Sequence, residues 1–79
     1  MKTIGIIGTG FVGTAIREGM KHAFEIITYD KKEPETVFVM RNKKTYDESH
    51  VSNDPIAKLL ELVDGPIFVC VPTPMQKNG

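Results

Sequence analysis

Apolar residues in this chain come in blocks, and the spacing within each block predicts an element. Thr3 to Ile7 (TIGII) has no polar alternation, the pattern of a strand covered on both faces. From Phe11 to Ala23 the positions Val12, Ala15, Ile16, Gly19, Met20 and Ala23 recur at intervals of three and four, with Arg17, Glu18, Lys21 and His22 facing the other way, which predicts an amphipathic helix. Glu25 to Tyr29 (EIITY) reads as a second short strand ending at Asp30, and the polar KKEPE that follows, with Pro34 inside it, reads as a loop. VFVM, from Val37 to Met40, is balanced between strand and loop, whereas RNKKTYDESHVSN is polar, aperiodic and expected to be exposed. Asp54-Pro55 supplies an N-cap followed by proline at the first helical position, and Ile56, Leu59, Leu60 and Val63 then repeat with helical spacing up to Asp64-Gly65. Ile67 to Val71 (IFVCV) is a third continuous apolar strand, and it stops at PTP.

Strands that alternate with helices predict parallel pairing through crossovers. The expected fold class is therefore α/β: a Rossmann-like parallel sheet with flanking helices, partial, amounting to one βαβαβ half. Residues 1–79 are read as a single partial domain of that class. A sheet ending just after its third strand is expected either to belong to a longer protein or to self-associate through its uncovered edge.

The first strand runs directly into GTGFVG, which matches G-x-G-x-x-G at Gly8, Gly10 and Gly13. Backbone N–H groups at a helix N-terminus, helped by the helix dipole, can meet the negative charge of a pyrophosphate where no side chain obstructs the approach. In that reading Gly8 makes the sharp turn, Gly10 leaves room for the phosphates, and Gly13 lets helix and strand pack closely. The bland alternative is a tight strand-to-helix turn. Asp30, about 20 residues further on at the end of the second strand, has the spacing of a carboxylate that accepts hydrogen bonds from the adenosine ribose. It favours NAD over NADP, although Lys31 and Lys32 beside it could accommodate a phosphate. Its alternative is an ordinary turn residue. Ligands in open α/β sheets bind outside the carboxyl ends of the strands, so Gly8, Asp30 and the Pro72-Thr73 turn should line one rim. Pro72 and Pro74 hold Thr73 in a stiff turn, which serves equally well as a strand terminator.

Composition narrows the partners. Ten basic and ten acidic side chains cancel, so bulk charge recruits neither nucleic acid nor an anionic membrane. The apolar runs are far shorter than the roughly 20 residues that span a bilayer, no signal peptide opens the chain, and a cytoplasmic location is expected. Cys70, the single cysteine, lies among Phe68, Val69 and Val71 and reads as a reduced core thiol. His22 and His50 read as solvated, and no side chains have metal-ligand spacing.

GIIGTGFVG, YD and FVCVPTPMQKNG together resemble the N-terminal NAD-binding part of the UDP-glucose/GDP-mannose dehydrogenase family, particularly its short phage-type variants. VPTP followed by a polar, glycine-containing turn is the more specific element. The resemblance implies cofactor contacts by Gly8, Thr9, Gly10, Phe11, Val12, Gly13, Asp30, Val71, Pro72, Thr73 and Pro74. It also implies an oxidoreductase that uses NAD to convert the C6 alcohol of a nucleotide sugar to a carboxylate, as UDP-glucose 6-dehydrogenase does. No catalytic residue is assigned, because the family's nucleophilic cysteine and sugar-binding domain lie further along a longer chain, and these 79 residues alone are expected to be inactive. Glu35 departs from the family pattern, which often places Arg or Lys five residues after the aspartate. Two other readings remain open: a non-catalytic nucleotide-binding or self-assembling module, and the N-terminus of another NAD(P)-dependent dehydrogenase or reductase.

Overall fold

The computed structural model describes residues 2–8 and 10–70. In chain order the elements are β1 (Thr3–Ile7), α1 (Gly10–Met20), β2 (Glu25–Tyr29), β3 (Thr36–Met40), β4 (Glu48–Val51), α2 (Pro55–Leu62) and β5 (Ile67–Val69). The five strands form one open sheet in the order β4-β3-β2-β1-β5. β1 pairs in parallel with both β2 and β5, while β2 with β3 and β3 with β4 are antiparallel. The chain is thus a mixed α/β structure with helices on a five-stranded sheet. Among the described residues no helix is long and apolar enough to cross a membrane.

The mixed pairing corrects the expectation of an all-parallel, three-stranded sheet. VFVM extends into β3, with Val37 and Val39 fully buried. Glu48 to Val51, expected to lie in an exposed polar loop, is the edge strand β4. Its pattern of half-buried and exposed residues has no apolar signal, because only one of its faces meets protein and its edge meets none of the described strands.

Side chains leave a strand alternately to its two faces, which gives the sheet two cores. On one face Ile4, Ile6, Ile26 and Met40 pack with Ile16 and Met20 of α1. On the other Ile27, Val37 and Val39 surround Leu59 of α2, joined by Leu62 and Val63. The first crossover moves along the sheet from β1 to β2, and the second returns from β4 to β5, so crossovers of one hand place their helices on opposite faces.

α2 begins as its sequence predicts: the Asp54 carboxylate accepts the Ala57 N–H at 3.2 Å and Pro55 opens the first turn. Its end is latched to the start of β1. The Asp64 carboxylate accepts from the Thr3 N–H at 2.7 Å and from the Thr3 hydroxyl at 2.8 Å, and the Thr3 hydroxyl accepts the Asp64 N–H at 2.8 Å. These donors hold the Asp64 carboxyl below the usual carboxylate range, the Thr3 N–H first among them.

α1 buries a narrower face than its apolar stripe. Gly13 is buried and Ile16 and Met20 are half-buried, but Val12, Ala15, Gly19 and Ala23 are exposed. Arg17, expected on the solvent face, instead reaches Tyr46 in the β3–β4 connection. Its Nη1 donates to the Tyr46 hydroxyl at 3.0 Å, and its guanidinium lies 5.7 Å from the ring centroid. The Tyr46 ring in turn lies 5.4 Å from that of Phe38. The bond to Tyr46 is the main reason that Arg17 holds its proton more tightly than an ordinary arginine. On the opposite face Arg41 pairs with both Glu25 and Glu48. His50, expected to be solvated, is half-buried on β4 with Nε2 3.2 Å from Glu48 Oε2.

Candidate functional site

Three strand ends that are distant in sequence meet at one end of the sheet. The Gly8 N–H donates to the Tyr29 carbonyl at 2.7 Å, and the Cys70 N–H donates to the Ile7 carbonyl at 2.7 Å. Asp30, Gly8 and Cys70 therefore follow one another across the carboxyl ends of β2, β1 and β5. The chain leaves β1 toward β2 on one side and returns to β5 on the other, so the strand order reverses beside β1. Open α/β sheets place their ligand crevices at such reversals.

The glycines of the turn are required for different reasons. Gly8 has φ of 81°, a left-handed conformation that turns the chain out of β1. A Cβ on Gly13 would stand 2.5 Å from the Gly8 carbonyl oxygen, closer than real contacts allow, so α1 can pack on the turn only with glycine there. Gly10 opens α1 with φ of 37°, and a Cβ on it would meet none of the described residues within 4 Å. Packing among the described residues does not demand glycine at that position. No acidic side chain stands in the first turn of α1 to compete for its N–H groups, and the helix dipole places partial positive charge there.

Asp30 follows the last residue of β2 and starts a tight reversal into β3. Its carbonyl accepts the Glu33 N–H at 2.9 Å, and its Oδ1 accepts the Lys32 N–H at 3.0 Å. Lys31 and Lys32 are thus the two corner residues of a β-turn, and both are exposed. The ordinary-turn reading of Asp30 is met in part, since its carboxylate does organise this turn. Tyr29 is a contributor that the sequence did not single out. Its carbonyl anchors Gly8, and its hydroxyl donates to the Pro34 carbonyl at 3.2 Å, closing the reversal from below.

Of the residues expected at the cofactor, Gly8, Gly10, Gly13 and Asp30 are brought to one rim, and Val12 is 63% exposed on the first turn of α1. Phe11 belongs to the same turn. Thr9, Val71, Pro72, Thr73 and Pro74 lie outside the described residues. Cys70, expected in the core, is half-buried and packs against the α1-side cluster. Among the described residues no group of three His, Cys, Asp or Glu side chains could hold a metal ion.

Comparison with protein-family models, with curated proteins and with solved structures yields no match to this chain.

Proposed function

We propose that this chain is the NAD-binding N-terminal part of a nucleotide-sugar oxidoreductase of the UDP-glucose 6-dehydrogenase type, with a Rossmann-like arrangement of its parallel strands. The observation that carries the reading is the joining of the glycine turn to the ends of β2 and β5 on a single rim, where a Cβ at Gly10 would meet none of the described residues. In this reading N–H groups of the first turn of α1 would bind the pyrophosphate oxygens, and glycine at position 10 would let them approach the main chain. Asp30 would accept a hydrogen bond from the adenosine ribose. Bound NAD would supply the hydride acceptor for oxidation of the sugar alcohol. The part of this chain is to hold and orient the adenosine end, while sugar binding and the chemical step fall to other parts of a longer protein.

Calorimetric titration of the chain with NAD tests the reading, with Gly10→Ala as the diagnostic variant. The added methyl meets none of the described residues, and the positive φ costs about 1–2 kcal/mol, so the fold should survive while affinity drops about tenfold or more. No binding by the unmutated chain, or equal binding by a folded Gly10→Ala chain, sinks the proposal.

A second reading, a non-catalytic module that self-associates, is favoured by one feature. Val69 on β5 is 63% exposed and Leu60 on α2 55% exposed, and β5 pairs with β1 alone among the described strands. Sedimentation would distinguish it: nucleotide binding by a strict monomer leaves the first reading in place.

A further inference from the structure

We propose that the β2–β3 turn makes the adenosine end of the site tolerant of a 2′-phosphate, so that the chain accepts NADP about as readily as NAD. The inference rests on the dinucleotide-binding reading and concerns the ribose end of that same site.

An aspartate at the end of the second strand excludes NADP when its carboxylate faces the ribose as an isolated negative charge. In this chain the charge is not isolated. Asp30 Oδ1 accepts the Lys32 N–H at 3.0 Å, so one carboxylate oxygen is directed into its own turn. The Glu33 N–H to Asp30 carbonyl bond then closes a four-residue turn whose corners are Lys31 and Lys32. Corner residues project furthest from a β-turn, and both lysines are exposed immediately beyond the rim.

The antiparallel pairing keeps them there. Because the chain reverses directly into β3, with Tyr29 opposite Val37 and the Thr36 N–H bonded to the Glu33 carbonyl at 3.1 Å, the turn stays at the end of β2. A lysine ammonium is a flexible point charge with three donors, suited to a phosphate without fixed geometry. Glu33 and Glu35 bring opposing charge, but both lie on the β3-ward limb of the turn, beyond the corner. The lysine pair therefore stands between the acidic limb and the end of β2.

The test is parallel calorimetric titration of the full chain with NAD, NADP, ADP-ribose and 2′-phospho-ADP-ribose, for the unmutated protein and the Lys31→Glu/Lys32→Glu variant. Exposed substitutions at a turn corner should leave the melting temperature unchanged, which circular dichroism checks. NAD and NADP affinities of the unmutated chain are expected within about threefold of each other, with NADP binding weakened about tenfold or more in the variant and NAD binding changed less than about threefold. The two ADP-ribose ligands should repeat that ratio without the nicotinamide. Tight NAD binding with NADP at least about tenfold weaker in the unmutated chain overturns the inference and leaves the dinucleotide site standing. A ratio unmoved by the double substitution removes the role of the lysines. Binding of none of the four ligands overturns both readings together.

Discussion

The parallel strands β1, β2 and β5 and the antiparallel hairpin β3–β4 share one sheet but are held by different means. The parallel part is specified by buried apolar runs and by backbone geometry that only glycine satisfies. Ile4 and Ile6 are covered on the α1 side, and the Gly13 position leaves no room for a side chain. The hairpin is apolar on β3 only. Its outer strand is held by pairs that cross the sheet, Arg41 with Glu25 and Glu48, and by Tyr46 bridging to α1 through Arg17. The lesson is that the candidate site belongs to the first kind of structure, and the hairpin affects it only where its turn adjoins Asp30. Damage to the two regions should therefore have different consequences.

The largest expected effect lies at Gly13. Gly13→Val places a branched side chain against the Gly8 carbonyl and should cost at least about 3 kcal/mol, abolishing the cooperative melting transition or lowering its midpoint by more than about 10 °C. A variant that melts like the parent would show that α1 does not bear on the turn so closely. In the hairpin, Tyr46→Phe removes the acceptor of the Arg17 bond and keeps the ring contact with Phe38. A loss of about 1 kcal/mol in urea unfolding is expected, with NAD affinity unchanged. A large loss of affinity from this variant would erase the separation between the regions.

The smallest effect concerns the latch between β1 and α2. The Asp64 carboxyl titrates lower in the folded chain than in the unfolded one, so it contributes stability above the unfolded value, about 3.9. That contribution is lost as pH falls from there through the lower folded value. Melting temperatures measured between pH 5 and pH 3 should fall less steeply for Asp64→Asn than for the parent. Identical slopes would mean that the Thr3 bonds do not act on the carboxylate in solution.

How much of this was legible depends on whether an element's signal is local. TIGII and EIITY are strands with the bounds expected of them, because burial on both faces requires an uninterrupted apolar run. The start of α2 was readable for a similar reason, since Asp54 and Pro55 act on the turn beside them. Gly8 and Gly13 carried their geometric meaning in their spacing. By contrast ESHV has no strand signature, and it pairs only because β3 offers an edge in register, Val37 opposite His50 and Phe38 opposite Ser49. Arg17 looked like a solvent-facing helix residue because its partner, Tyr46, is remote in sequence.

The order of residues by itself determined the glycine turn, the strand that feeds it and the helix that follows, since each depends on steric freedom or periodicity within a few neighbouring residues. Tertiary structure decided which strands stand together: that β5 pairs with β1, that β3 runs antiparallel to β2, and that β4 pairs with β3 at the sheet edge. Those outcomes depend on hydrogen bonds between segments that are far apart or only loosely specified in the chain, which no local pattern encodes.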